Sequence, residues 1–276
     1  MRIKQHLLSG DGIDFSESPN QGGVFEAGHP DTIVIHYTAG GSVESAVRTL
    51  SDPACKASAH VVVGRDGSIT QLVPFQRIAW HAGRSSFRGR SGLNRYAVGI
   101  EIDNAGRLQQ TGPRFTAWFG RDYPLDDVIE AVHRNESVLA PWHRYTEAQI
   151  GQVEALCETL IAHYPITSIV GHEEISPGRK SDPGPAFPLD KLRQRLLAEE
   201  RAEDGAMEEP KAERVLPRGL VAVSKLNIRS RPTRAAVTIA PPLSRGTLVN
   251  ILDERDGWYQ VDIAIRGWVN KDFIQA

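Results

Sequence analysis

The run Thr32 to Tyr37, TIVIHY, is rich in β-branched residues and lacks any apolar/polar alternation. A strand of that composition needs apolar cover on both faces. Further strand and helix patterns follow it. Ala97 to Asp103, AVGIEID, alternates, with Val98, Ile100 and Ile102 on one face and Gly99 and Glu101 on the other. His60 to Gly64 and Ser68 to Val73 flank the hairpin turn signal Arg65-Asp66-Gly67, and Thr167 to Val170 is a brief strand leading into Gly171-His172.

Three segments have helical period. Ser42 to Leu50 puts Val43, Val47 and Leu50 on one face before Asp52-Pro53 closes it. Thr146 with Gln149 forms a capping box ahead of Ile150, Val153, Leu156, Cys157, Leu160 and Ile161, which predicts a helix over Thr146 to His163. Leu189 to Glu200 closes the domain with Leu192 and Leu196 inward. The expected architecture is α/β, a mixed central sheet flanked by helices. Asp11 to Gly23 is a polar stretch, and Gly106 to His143, rich in aromatics, Arg and Pro, is an elaborated insert with a short helix around Asp126 to Arg134.

At 276 residues the chain exceeds one minimal domain. From Ala198 the sequence turns acidic and poor in apolar residues, so the expected organisation is a first domain over 1–200, a linker over 201–214 and a second domain over 215–276. Beyond the linker, Leu220 to Val223, Leu226 to Arg229, Thr247 to Asp253, Trp258 to Ile263 and Arg266 to Val269 are short strand candidates, the pattern of a small all-β barrel. A net charge of −2 gives no general attraction to nucleic acid or an anionic membrane, and no apolar run approaches the roughly 20 residues of a membrane span. Cys55 and Cys157 are read as free thiols. Met1 to Gly10 lacks the apolar core of a secretory leader. Cytoplasmic synthesis is expected, with any action at a cell wall reached by another export route or by lysis.

Chemistry concentrates at His36 near a strand end, His172 after a strand and Asp182 in the loop Lys180 to Gly184. Two imidazoles and a carboxylate suit a catalytic zinc, because three protein ligands leave a fourth position open. By spacing alone, His36 and His172 read equally well as satisfied polar residues at domain edges. Glu101 alone reads as a strand carboxylate facing solvent, and Lys180 as a loop lysine.

Five blocks occur in order: HYTAGG at His36, SAHVVVGRDGSITQLVP from Ser58, AWHAG from Ala79, LNRYAVGIEIDN from Leu93 and GHEEISPGRKSDPGP from Gly171. Over Asp31 to Pro188 the chain resembles the type 2 N-acetylmuramoyl-L-alanine amidase family, which includes phage amidase lysozymes and peptidoglycan recognition proteins. AWHAGRSSFRG and GRKSDPGP resemble its bacterial broad-specificity branch. The resemblance implies one catalytic Zn2+ held by His36, His172 and Asp182, with Glu101 as catalytic carboxylate and Lys180 as the lysine near the metal. It implies a bacterial peptidoglycan or muropeptide substrate. In such a site Glu101 would take a proton from the attacking water, and Lys180 would help zinc stabilise an oxyanion.

His60 and His81 lie in matched blocks and are candidates for substrate binding, with a hydrogen-bonded structural role as the equal alternative. Trp80, Phe87 and Trp142 could stack on a sugar, though core packing suits any one of them better. Some phage relatives carry a tyrosine near the histidine of the second block, whereas here Ala59 precedes His60, so no role is transferred there. Glu173 and Glu174 read as solvated loop charges. Relatives that only bind peptidoglycan typically lack a zinc ligand; here all three positions are filled, which favours hydrolysis over recognition. A zinc peptidase acting on proteins is the remoter alternative.

Leu226 to Pro232, Arg245-Gly246-Thr247, Asp256 to Tyr259 and Arg266 to Val269 resemble a bacterial SH3-like domain, with Trp258 and Trp268 supplying large apolar area. The resemblance implies a wall tether, with a structural cap or protein-binding barrel as the alternative. Phage lysis by an endolysin, wall recycling and attack on a competitor fit the sequence alike.

Overall fold

In the computed structural model, Thr32–Tyr37 is a strand inside a six-stranded sheet ordered Ser168–Gly171, Thr32–Tyr37, Ala97–Ile102, Val61–Val63, Ile69–Gln71, Ile13–Phe15. The structure describes residues 1–197, 218–230, 232–234, 236–255 and 257–262. Two compact units divide the chain, residues 1–205 and 206–276. In the first, the four strands from Ser168–Gly171 to Val61–Val63 run parallel. Val61–Val63 returns antiparallel to Ile69–Gln71 through the Arg65-Asp66-Gly67 turn, where Gly67 takes φ of 87°.

Both faces of the sheet are covered, as the apolar run demands. Ile33, Ile35, Val98, Ile100 and Ile102 pack against Val153, Leu156, Cys157 and Leu160 of the helix Glu147–Ile161 and against Leu189 and Leu192 of the helix Leu189–Leu197. On the opposite face Val34 and Val170 meet Ala82, Leu93, Ala97 and Ile175, while Val62 meets Ala46 of the helix Val43–Ser51. Cys157 is a buried free thiol and Cys55 an exposed one. The Thr146 capping box forms: its hydroxyl accepts from Gln149 N, and Gln149 Oε1 accepts from Thr146 N, each at 3.1 Å.

Two segments depart from expectation. The polar N-terminal stretch supplies the edge strand Ile13–Phe15, which runs parallel to Ile69–Gln71 and is fixed by register rather than by its own apolar content. Asp126 to Arg134 is not a helix. A single 3-10 turn, Leu125–Asp127, gives way to the strand Val128–Val132, paired antiparallel with Leu139–His143. No side chain caps the turn, and the β-branched Val128, Ile129 and Val132 find strand partners seven or more residues away. The rest of the insert is a three-stranded sheet, Gln109–Thr111, Arg114–Thr116 and Asp122–Tyr123. It has its own core of Ala105, Leu108, Phe115, Ala117 and Val128.

The second unit is built of strands among its described residues. Arg218–Leu220, Leu248–Arg255 and Trp258–Asp262 form an antiparallel sheet, and Lys225–Leu226 pairs with Leu243–Ser244. The expected linker over 201–214 and the strand Arg266 to Val269 with Trp268 lie outside the described residues. Among the described residues no helix is long and apolar enough to cross a membrane.

Candidate active site

Three neighbouring parallel strands deliver their carboxyl ends to one place, the crevice where open α/β sheets bind ligands. Glu101 stands directly opposite His36, so both side chains leave the same face. Gly171 stands opposite Ile35, which brings His172, the next residue, level with His36. Asp182 arrives on the following loop, pinned from four sides. Its carbonyl accepts from Glu173 N at 2.8 Å, Pro183 O accepts from Tyr145 Oη at 2.8 Å, Gly184 N donates to Glu173 Oε2 at 3.1 Å, and Ser181 Oγ pairs with Tyr37 Oη at 2.7 Å.

The sequence-predicted ligands come together. His36 Nδ1, His172 Nδ1 and Asp182 Oδ2 form a buried triangle 2.9 Å on each side. Hydrogen bonds on the far side of each ring assign the tautomers. His81 Nε2 lies 3.1 Å from Ala97 O, a pure acceptor, so that nitrogen carries the proton and His81 Nδ1 is left to accept from His36 Nε2 at 3.0 Å. His36 Nδ1 therefore keeps its lone pair. His172 Nε2 lies 3.1 Å from Ala82 O and donates to it, which leaves its Nδ1 bare as well. Arg179 Nη2 also approaches His172 Nε2, at 3.3 Å, but its two protons are used on the closer Ser176 Oγ and Arg84 O at 2.6 and 2.8 Å.

Three lone pairs thus face one another at 2.9 Å with no proton between them. That arrangement repels unless a cation sits among the three atoms. Tetrahedral zinc with bonds of about 2.0–2.1 Å spaces its ligands roughly 3.3 Å apart, so the triangle needs only a small expansion. Burial would raise the Asp182 carboxyl, but the His172 and His36 rings beside it outweigh that and hold it below the usual range. Burial lowers His36 to about 4, helped by His172 and opposed by Asp182. Both shifts favour the deprotonated, ligating forms.

Beside the triangle lies a cleft of about 350 Å³ whose lining includes Glu101, Lys180, His81, Trp80, Thr38 and Ala39. Glu101 Oε2 is buried there without a hydrogen-bond partner. Burial pushes the Glu101 carboxyl up to about 8, Asp182 adds to the shift and Lys180 opposes it. Lys180 itself is exposed on the lip.

His81 lines the cleft, yet both its nitrogens serve the His36 relay. A single side chain holds this relay in place: Asn94 Oδ1 accepts from His81 N at 3.0 Å and Ala82 N at 2.7 Å, the two residues that supply the partners of His36 and His172. His60 does not reach the cleft. It is fully buried, with Nε2 donating to Arg77 O at 2.9 Å and Nδ1 accepting from Gly99 N at 3.0 Å, so no nitrogen remains for substrate. Trp142 is buried against Gly184, and Trp80 stays 36% exposed in the cleft.

Glu173 and Glu174 are not solvated charges. Glu173 is buried, accepting from His133 Nε2 at 2.6 Å and Arg134 Nε at 2.8 Å, and Glu174 joins Arg134 and Arg193 while accepting from Gly171 N. Their partners His133 and Arg134 come from the insert, 40 residues away in sequence, and Arg193 comes from the helix Leu189–Leu197.

Two histidines and a carboxylate thus converge at the parallel strand ends of the mixed sheet, in a group able to hold a metal ion. The model for the family N-acetylmuramoyl-L-alanine amidase matches residues 26–185, and the chain belongs to that family. It is 35% identical over 140 residues to the 1,6-anhydro-N-acetylmuramyl-L-alanine amidase AmpD of Salmonella typhimurium, covering 50% of this chain and 56% of that one. It is 34% identical over 171 residues to the N-acetylmuramoyl-L-alanine amidase AmiD of Escherichia coli, covering 59% of this chain and 51% of that one. The chain spans about half the length of these curated relatives. A crystal structure of a selenomethionine AmpD derivative superposes with a TM-score of 0.52 at 26% identity, covering 71% of this chain and 99% of that one.

Proposed function

We propose that the chain hydrolyses the amide bond between the lactyl group of N-acetylmuramoyl sugars and the L-alanine of peptidoglycan stem peptides. The observation that carries this reading is the convergence of three bare lone pairs beside a buried, unpartnered carboxylate, in a chain of the amidase family. His36, His172 and Asp182 would hold one zinc ion, which supplies Lewis acidity and acidifies water.

The remaining chemistry falls to the chain. Glu101 Oε2 accepts a proton from the water that attacks the amide carbon and returns it to the departing alanine nitrogen. Its burial without a hydrogen-bond partner leaves that oxygen free to take the proton. The Lys180 ammonium offsets negative charge developing on the amide oxygen. His81 and the Ala82 carbonyl keep the ligand nitrogens aimed, and Asn94 keeps both in register.

The catalytic domain in this reading is 1–200, joined by a linker over 201–214 to an SH3-like wall-binding module over 215–276. Short antiparallel strands and Trp258 support the module, whose role is to raise local substrate concentration. A recognition protein that binds without cutting would have no use for a complete ligand set with an unpartnered Glu101.

Incubating the purified chain with a defined muramyl peptide and with intact sacculi, with and without chelator, tests the reading by mass spectrometry. Metal-dependent release of free stem peptide beginning at L-alanine is the expected result. Binding to sacculi without release under zinc-replete conditions would replace hydrolysis with recognition.

A further inference from the structure

The insert carries an aromatic ring that the chemistry above leaves unused. Trp118 sits at the tip of the hairpin joining Arg114–Thr116 to Asp122–Tyr123 and is 72% exposed. An indole left in water forgoes the burial its large apolar surface would otherwise gain, so the position calls for a use.

The ring is held in a set orientation. Its Nε1 donates to Ala39 O at 2.8 Å, Arg121 Nη1 donates to Gly41 O at 2.5 Å, and Phe119 stands edge-on to it at 5.7 Å. The tip itself is closed by Ala117 N donating to Arg121 O at 2.8 Å, with Gly120 at φ 86° completing the turn. Two separate side chains therefore grip the loop that follows the His36 strand. Thr38 and Ala39 of that loop line the cleft beside the ligand triangle. Trp118 consequently spends its polar edge on the cleft lip and leaves its π surface open.

That presentation matches the apolar C–H face of a pyranose, which packs flat on an aromatic ring while its hydroxyls stay in water. Trp80, partly exposed in the cleft lined by Thr38 and Ala39, is a second indole open to solvent on the site. We propose that Trp118 is a saccharide subsite: it stacks on a sugar of the glycan strand adjacent to the muramoyl residue whose amide is cut. This rests on the amidase reading and deepens it, for it makes peptide-bearing glycan strands, rather than single muramyl peptides, the favoured substrate class.

The test compares the full chain with Trp118→Ala and Trp118→Phe on two substrates, soluble peptide-bearing strands of several disaccharides and a single muramyl peptide. Trp118→Ala raises KM on strands roughly three- to tenfold more than on the single muramyl peptide, and Trp118→Phe, which keeps a ring but not the bond to Ala39 O, restores most of that difference. Equal effects on the two substrates, or none on strands, would overturn the proposal. If the unaltered chain cuts neither substrate, the amidase reading fails, and co-sedimentation with sacculi decides the subsite separately. Weaker pelleting of Trp118→Ala than of the unaltered chain supports it, and equal pelleting overturns it.

Discussion

His36 and His81 meet edge to face, their rings at 81° and Nε2 to Nδ1 at 3.0 Å, so the proton on one ring dictates where the lone pair lies on the other. Because His81 must donate to Ala97 O, the His36 tautomer is set two hydrogen bonds away from the ligand position. His81→Leu removes the acceptor and is expected to weaken zinc binding roughly 10–100-fold. His81→Asn, which still offers an acceptor oxygen, retains more of it. Competition with a colorimetric chelator reads both; equal affinity in His81→Leu and the unaltered chain would contradict the tautomer assignment.

Gly99 makes room for that relay. A Cβ there would lie 2.4 Å from His81 Cγ and 2.7 Å from its Nδ1, so the imidazole lies flat where a side chain would stand. Gly99→Ala is expected to cost about 1–3 kcal/mol by overpacking and to lower zinc affinity as His81→Leu does. Urea unfolding of the metal-free protein gives the first quantity and chelator competition the second. A stable variant with unchanged metal affinity would show that the ring is free to move.

Much of this was legible in the sequence, and the pattern of omissions has a physical cause. The two-sided strand at Ile33 to Ile35, the alternation of Ala97 to Ile102, the Thr146 capping box and the Arg65-Asp66-Gly67 turn are local signals, and each appears where its pattern puts it. His36, His172 and Asp182 stand out because the ordered motif blocks resemble a family; their own spacing is ambiguous. What escaped depends on partners distant in sequence. Glu173 reads as a loop charge until His133 and Arg134 fold over it, and Val128–Val132 reads as helix until Leu139–His143 pairs with it. His60 and His81 share one reading from sequence, yet one is bound to backbone on both nitrogens and the other orients a ligand. Asn94 carries no sequence signal for its double acceptance.

Acid should act through His143. Its Nδ1 accepts from Ala105 N at 3.0 Å, its Nε2 is buried without a partner, and burial, followed by Arg65 and Arg121, lowers its pKa to about 3. The folded pKa lies below the ordinary value of 6.5, so the unfolded chain takes up the proton first as pH falls. The stability His143 supports is therefore complete above about 6.5 and declines as pH drops toward 3. His143→Asn keeps an acceptor and does not titrate. Relative to it, the unaltered metal-free chain is expected to lose at most about 2 kcal/mol between pH 7 and pH 5 in urea melts. A difference that does not change with pH would mean that His143 accepts a proton in the fold.

Glu173 ties the insert to the ligand loop, since one carboxylate accepts from His133, Arg134 and Gly184 N. Glu173→Gln removes the charge and turns a donor toward other donors. A loss of about 3 kcal/mol in unfolding free energy is expected, with weaker zinc binding because Asp182 sits two residues from the freed Gly184. Unfolding within 1 kcal/mol of the unaltered chain would place the pair among the weak surface ion pairs.

In the proposed reaction Glu101 works beside a metal it does not hold. Zinc content and the rate of stem-peptide release should be measured together for the unaltered chain and Glu101→Gln. One zinc per chain is expected in both proteins, with the Glu101→Gln rate lower by roughly 100-fold or more. A Glu101→Gln protein that keeps its zinc and cuts at near the unaltered rate would contradict it, as would an unaltered chain that releases stem peptide at full rate after chelation has removed its metal.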